Sequence, residues 1–205
     1  MRSILGHSGK QHLAIAEPER RPLLVSQSAY LTAAGSSPLQ LIVVGKDPFP
    51  TDATGIPFCK TTWEQQLAFN CSGQYVLRSL GVNLMEAQRA YLTPSALFEY
   101  LASIGILFLN ASYTFIGQKI RKSKHWEHLY AAHLVNDPFI RVANKVIYCG
   151  EAQKIKWVTD IDTGWCVVHP DVRNRVNPRT SMRWSTVWND NALRDTFGLR
   201  IDCGG

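Results

Sequence analysis

The sequence predicts an α/β fold, three layers α/β/α around a central four-stranded parallel sheet, and three observations carry that prediction. Four short apolar runs punctuate the chain, at 39–44, 105–109, 145–149 and 164–168. Short apolar runs bounded by glycine, proline or polar residues are expected for strands buried on both faces. Segments with helical spacing lie between the runs, and strands alternating with helices give a parallel sheet covered on both sides. Finally, each run ends abruptly on polar residues: Gly45-Lys46-Asp47, Asn110, Gly150-Glu151 and His169-Pro170. Crossovers of one hand make all strands run the same way, so these endings share the edge where open α/β sheets bind ligands.

Composition agrees with one globular domain over residues 1–205. The 205 residues are 45% hydrophobic and 19% charged, with 10% aromatic residues and six tryptophans, which favours a packed core over disorder. The formal charge of +6 fits a polyanionic partner or a mildly basic surface about equally well. The five cysteines are an odd number without a C-x-x-C pair, and three of them lie in or beside apolar runs. That pattern argues against a disulfide framework, a zinc site or an iron–sulfur cluster, and no metal or cofactor is expected. The first 21 residues lack the long apolar stretch and small-residue cleavage pattern of a signal peptide, and no run approaches membrane-spanning length. An intracellular, cytoplasmic protein without a membrane partner is expected.

Residues 1–38, with prolines at 18, 22 and 38, read as a peripheral segment containing a short helix around 23–34. The first strand covers about 39–45, and a loop follows to Lys60. Ser72 reads as the N-cap of a helix closed by Gly81, and Thr93-Pro94-Ser95 as the start of another. After the second strand come a basic stretch, 119–125, and a helix over 126–139 with Trp126, Leu129, Tyr130 and His133 on one face. Residues 152–158 read as helical, 170–183 as a loop and 185–197 as a terminal helix.

Each polar strand ending has a structural explanation by itself, since Asp-Pro, Asn and His-Pro are all common turn openers. Their convergence on one sheet edge is what composition does not supply. Phe49 and Phe58 bracket the first loop, so the edge combines a carboxylate, an amide, an imidazole and aromatic faces. Such a set suits a planar hydrogen-bonding ring such as a nucleobase.

The strings GKDPFP at 45–50, GIPF at 55–58, GILFLNASYTF at 105–115 and HPDVRNR at 169–175 resemble the motifs of the uracil-DNA glycosylase superfamily, in that order and at similar spacing. The likeness covers most of residues 39–185, with weaker echoes at 72–80, at Trp126-Glu127 and at 145–153. It is nearest to the main uracil-excising branch, whose first motif usually reads G-Q-D-P-Y-H, whose asparagine strand reads L-L-L-N and whose last loop reads H-P-S-P-L-S.

The resemblance implies hydrolysis of the N-glycosidic bond of deoxyuridine in single- or double-stranded DNA by a monomer, releasing free uracil. It implies that Asp47 orients the attacking water and stabilises the cationic sugar, and that His169 donates to uracil O2 as charge develops there. Asn110 then matches O4 and N3–H, a pattern that cytosine reverses. Phe58 stacks on the base, Phe49 excludes the thymine methyl, and Lys46 contributes through its backbone. The base must first be turned out of a duplex. Ser72, Lys122, Lys124, Val172, Arg173 and Arg175 are the expected DNA contacts, Val172 or Arg173 falling where the family places a leucine wedge.

The sequence also departs from the family. Lys46 replaces glutamine, Phe49 tyrosine and Pro50 histidine. Asp171-Val172-Arg173-Asn174 replaces Ser-Pro-Leu-Ser, and the proline-rich phosphate loop before Ser72 is missing. Three alternatives remain: a glycosylase for another damaged or mismatched pyrimidine, a non-catalytic uracil- or single-strand-binding module, and an unrelated nucleotide-binding α/β protein. The last lacks the phosphate-cradling glycine motifs such proteins carry.

Overall fold

A computed structural model of the chain describes residues 25–51, 53–117, 119–155 and 164–201. The expectations for residues 1–24 and 156–158, and for Cys203, lie outside the described residues. Four parallel strands form one sheet in the order β2-β1-β3-β4. They are β1 (Leu41–Gly45), β2 (Ile106–Asn110), β3 (Val146–Cys149) and β4 (Trp165–Val167). Nine helices were identified among the described residues: α1 (Val25–Ala33), α2 (Trp63–Leu67), α3 (Ser72–Ser79), α4 (Leu84–Ala90), α5 (Pro94–Ser103), α6 (Lys122–Ile140), α7 (Val172–Val176), α8 (Ser181–Trp188) and α9 (Ala192–Phe197).

Register explains why the strand endings meet. Gly45 of β1 pairs with Asn110 of β2, Val44 with Tyr148 of β3, and Cys149 with Val167 of β4. The pairing continues past the strands: Ala111 N–H donates to Gly45 O at 2.8 Å and Ser112 N–H to Lys46 O at 3.0 Å. Leu41–Val44 and Ile106–Leu109 are fully buried, as continuous apolar runs in a central parallel sheet should be. β2 is an edge strand, and the Tyr30 hydroxyl from α1 covers it, accepting from Phe108 N–H and donating to Phe108 O. This pairs edge groups that otherwise invite another strand.

Several expectations need correction. β4 is not buried on both faces: it is an edge strand and Trp165 is 48% exposed. Ser72 is the first helical residue of α3 and Cys71 occupies the cap, so no side chain caps this helix. Thr93 does cap α5, accepting from Ala96 N–H at 3.3 Å with Pro94 behind it. The terminal helix is two helices, α8 and α9, broken where Asn191 takes φ 64°. The loop after His169 contains α7, which Asp171 caps by accepting from Arg173 N–H. Residues 150–155 form a 3-10 turn. On α6, which kinks at His125, Leu129 is buried but Trp126 and Tyr130 are exposed, so they do not share its buried face. The short helices α2 and α4 were not anticipated, because five to seven residues carry too little periodicity to read.

Candidate functional site

The C-terminal edge of the sheet opens into a cavity of about 800 Å³. Lys46, Asp47, Phe49, Phe58, Ser72, Asn110, His169 and Arg173 line it, together with Glu151, Asp171 and Arg183. Of the remaining sequence candidates, Lys122 and Lys124 are exposed on the first turn of α6. Val172 packs against the hydrophobic core, and the Arg175 guanidinium lies over the rings of Tyr75 and Trp184, at 5.8 and 5.4 Å.

Asp47 is the most tightly tied of these groups. Its Oδ2 accepts from Ile116 N–H at 2.7 Å and Gly117 N–H at 3.2 Å, and its Oδ1 lies 3.2 Å from Lys46 Nζ. Lys46 Nζ also donates to Gly117 O. Both side chains are largely buried, so the pair and the 112–117 loop form one cross-linked unit over the end of β1. The sequence marks Lys46 as a departure that contributes through its backbone; the structure adds its side-chain contacts with Asp47 and with Gly117 O on the β2 exit loop.

Asn110 is 3% exposed and faces the cavity. Its backbone carbonyl accepts from Asn136 Nδ2 at 2.8 Å, and Asn136 Oδ1 accepts from the Tyr113 hydroxyl at 2.8 Å. Asn136, buried on α6, thereby fixes the backbone beneath the side chain. Gly45 stands directly opposite because a Cβ there would lie 2.8 Å from Asn110 Oδ1 and 3.1 Å from the Phe58 ring.

Phe58 adopts φ 65°, an uncommon backbone state for a bulky residue, which persists only where the surroundings over-determine it. Here the fully buried Gln66 donates to Phe58 O at 3.2 Å and accepts from Lys60 N–H at 2.8 Å. Gly73 allows α3 to approach, since its Cβ would lie 2.0 Å from Phe58 O. The Phe58 ring meets Phe108 edge-on at 6.3 Å and His169 at 6.2 Å. Lys60 Nζ sits 3.6 Å above the Phe49 ring. Gln66, Gly73, Asn136 and Lys60 are positioning residues that sequence reasoning missed. Their only signals were a polar residue in a short helix, a glycine inside a helix and a polar residue deep in α6.

His169 ends the segment after β4. Burial is the main influence that pushes its imidazole down to about 4; the Lys46 and Arg173 charges act with it, against Asp171 and Asp47. The ring is therefore neutral near pH 7 and offers one N–H donor. Its carbonyl accepts from Asn174 Nδ2 at 3.1 Å. Arg173 folds back to grip Asp171 with paired hydrogen bonds, and its side chain is 87% exposed. A carboxylate, a neutral imidazole, an amide and an aromatic face around one cavity can bind a planar ring edge-on and stabilise negative charge on it.

Among the described residues, no group of three or more His, Cys, Asp or Glu is arranged to hold a metal ion, and no helix is long and apolar enough to cross a membrane. No protein-family model matches the chain, and no curated protein does. Among solved structures, the chain is similar to wild-type UNG from Nitratifractor salsuginis, at 15% identity and a TM-score of 0.43, over 83% of this chain and 77% of that one. The three-layer architecture rests on the chain's own sheet and helices, independently of that likeness.

Proposed function

We propose that the chain is a DNA glycosylase that hydrolyses the N-glycosidic bond of deoxyuridine, in single- or double-stranded DNA, leaving an abasic site and free uracil. The observation that supports this is Asn110, buried and lining the cavity together with Asp47, Phe58 and His169. Its acceptor and donor match N3–H and O4 of uracil, and cytosine presents the reverse. Phe58 supplies the stacking face and Phe49 the block against a C5 methyl group. The neutral His169 donates to O2 as the departing base gains negative charge. Asp47, held by two backbone N–H groups, orients water beneath the sugar and faces its developing positive charge. Glycosylases for other damaged pyrimidines would use the same edge with a different base.

One observation favours a second reading, a binding module without chemistry. The Asp47 carboxylate meets three donors, one of them the Lys46 ammonium, which lessens its charge toward a cationic sugar. Incubation with oligonucleotides carrying U, T, C, hypoxanthine or xanthine, followed by alkali, separates the two. Breaks at U alone that disappear in Asp47→Asn support the glycosylase. Uracil-dependent binding without breaks supports the module.

A further inference from the structure

Phe49, the ring read above as the block against a C5 methyl group, is held by a charge. Lys60 Nζ lies 3.6 Å above its centroid. Phe49 lines the cavity and Lys60 does not, so the cation acts on the ring from outside the site. Pro48 and Pro50 restrict the backbone on both sides of Phe49 and leave the ring's own torsions as its main freedom. The last torsion of a phenylalanine is broad, and without a hydroxyl the ring has no hydrogen bond with which to fix its plane. An ammonium over the face fixes it instead, by attraction to the ring quadrupole. The cation is itself anchored. Lys60 N–H donates at 2.8 Å to Gln66 Oε1, and Gln66 Nε2 donates at 3.2 Å to Phe58 O. Gln66 is fully buried, so one amide ties the backbone of the stacking ring to that of the residue orienting Phe49.

We propose that Lys60 is a specificity-determining residue: through Phe49 it sets how large a substituent the site accepts at C5 of a pyrimidine. It is a positioning residue and acts only through the ring. With the ammonium in place the ring stays against C5 and a methyl group has no room. Without it the ring turns and the methyl group gains room. The inference rests on the reading of the cavity as a pyrimidine site with Phe49 as its C5 wall, and not on hydrolysis.

The test is isothermal titration of the full chain with free uracil and free thymine. Release of both bases from single-stranded oligonucleotides is followed in the same preparations. Lys60→Met, which keeps an unbranched stem and drops the charge, is expected to tighten thymine binding and narrow the uracil-to-thymine affinity ratio roughly threefold to tenfold. A merely structural loss would weaken both bases and could not raise the affinity for thymine. Lys60→Arg keeps a cation for the ring and is expected to hold the ratio within about twofold of the parent. An unchanged ratio in Lys60→Met overturns the proposal. So does a ratio that narrows equally in Lys60→Arg, or that narrows only through weaker uracil binding. A parent that binds neither base, or both alike, overturns it too. A parent that prefers uracil, releases none and loses its preference in Lys60→Met sinks the hydrolytic reading and leaves the C5 gate standing. Normal uracil release with an unchanged ratio does the reverse.

Discussion

The two sides of the cavity are built differently. The wall made by β1, β2 and their exits is cross-linked at every level. Gly45 pairs with Asn110, Asn136 holds the Asn110 carbonyl, two backbone N–H groups and Lys46 hold Asp47, and Gln66 holds Phe58. In the opposite rim, Asp171–Arg175, Asp171 caps the helix and pairs with the exposed Arg173, while Val172 packs on the core and Arg175 lies over Tyr75 and Trp184. The wall has the preorganisation that chemistry on a fixed base requires. At the rim, Arg173 is 87% exposed and paired with Asp171. Substitutions in the wall should therefore cost activity steeply, and those in the rim mildly.

The largest effect expected is at Asp47. Asp47→Asn keeps an acceptor for Ile116 and Gly117 N–H but removes the charge, and uracil release should fall about a thousandfold in single-turnover assays. Gly45→Ala comes next. Its Cβ collides with the Asn110 amide and the Phe58 ring, and a shift of the reading group by a fraction of an ångström to 1 Å is expected to cost up to about a hundredfold in kcat/KM. Lys46→Met removes a charge-assisted bond of about 1.5 kcal/mol, so turnover should drop roughly tenfold with KM little changed, and Lys46→Arg should recover most of it.

Acid titration probes the His169 side. The native imidazole titrates at about 4 against an ordinary value of 6.5, so over that window the unfolded chain takes up a proton that the native state refuses. Stability should be unaffected above pH 6.5 and fall progressively toward pH 4. His169→Asn should flatten that part of a chemical-denaturation series. The smallest effect is expected in the rim: Arg173→Ala breaks an exposed ion pair worth about 0.2–1 kcal/mol, so Tm should barely move and affinity for DNA should change by no more than about threefold. A wall-sized loss there would contradict the contrast between the two sides.

The sheet was legible because buried parallel strands announce themselves as unbroken apolar runs, and the strand exits followed from a topology with one direction. β4 misleads because its apolar run reads as burial on both faces, yet its place at the edge leaves Trp165 in solvent. Trp126 and Tyr130 misled similarly: helical spacing groups residues on a face without saying which face the core takes. The Lys46 bond to Gly117 O and the Asn136 bond to Asn110 O join residues far apart in sequence, and no local pattern encodes such contacts. Arg175 shows the converse, a basic residue in a promising loop whose guanidinium lies over two aromatic rings.

The central claim is that the Asn110 amide reads the edge of a uracil ring, and side-chain NMR tests it most directly. In protein labelled with ¹⁵N at asparagine, with the Asn110 signal assigned through Asn110→Asp, titration with free uracil should shift the Asn110 NH₂ resonances saturably while cytosine leaves them in place. Resonances that ignore uracil, or that respond equally to cytosine, would contradict the account.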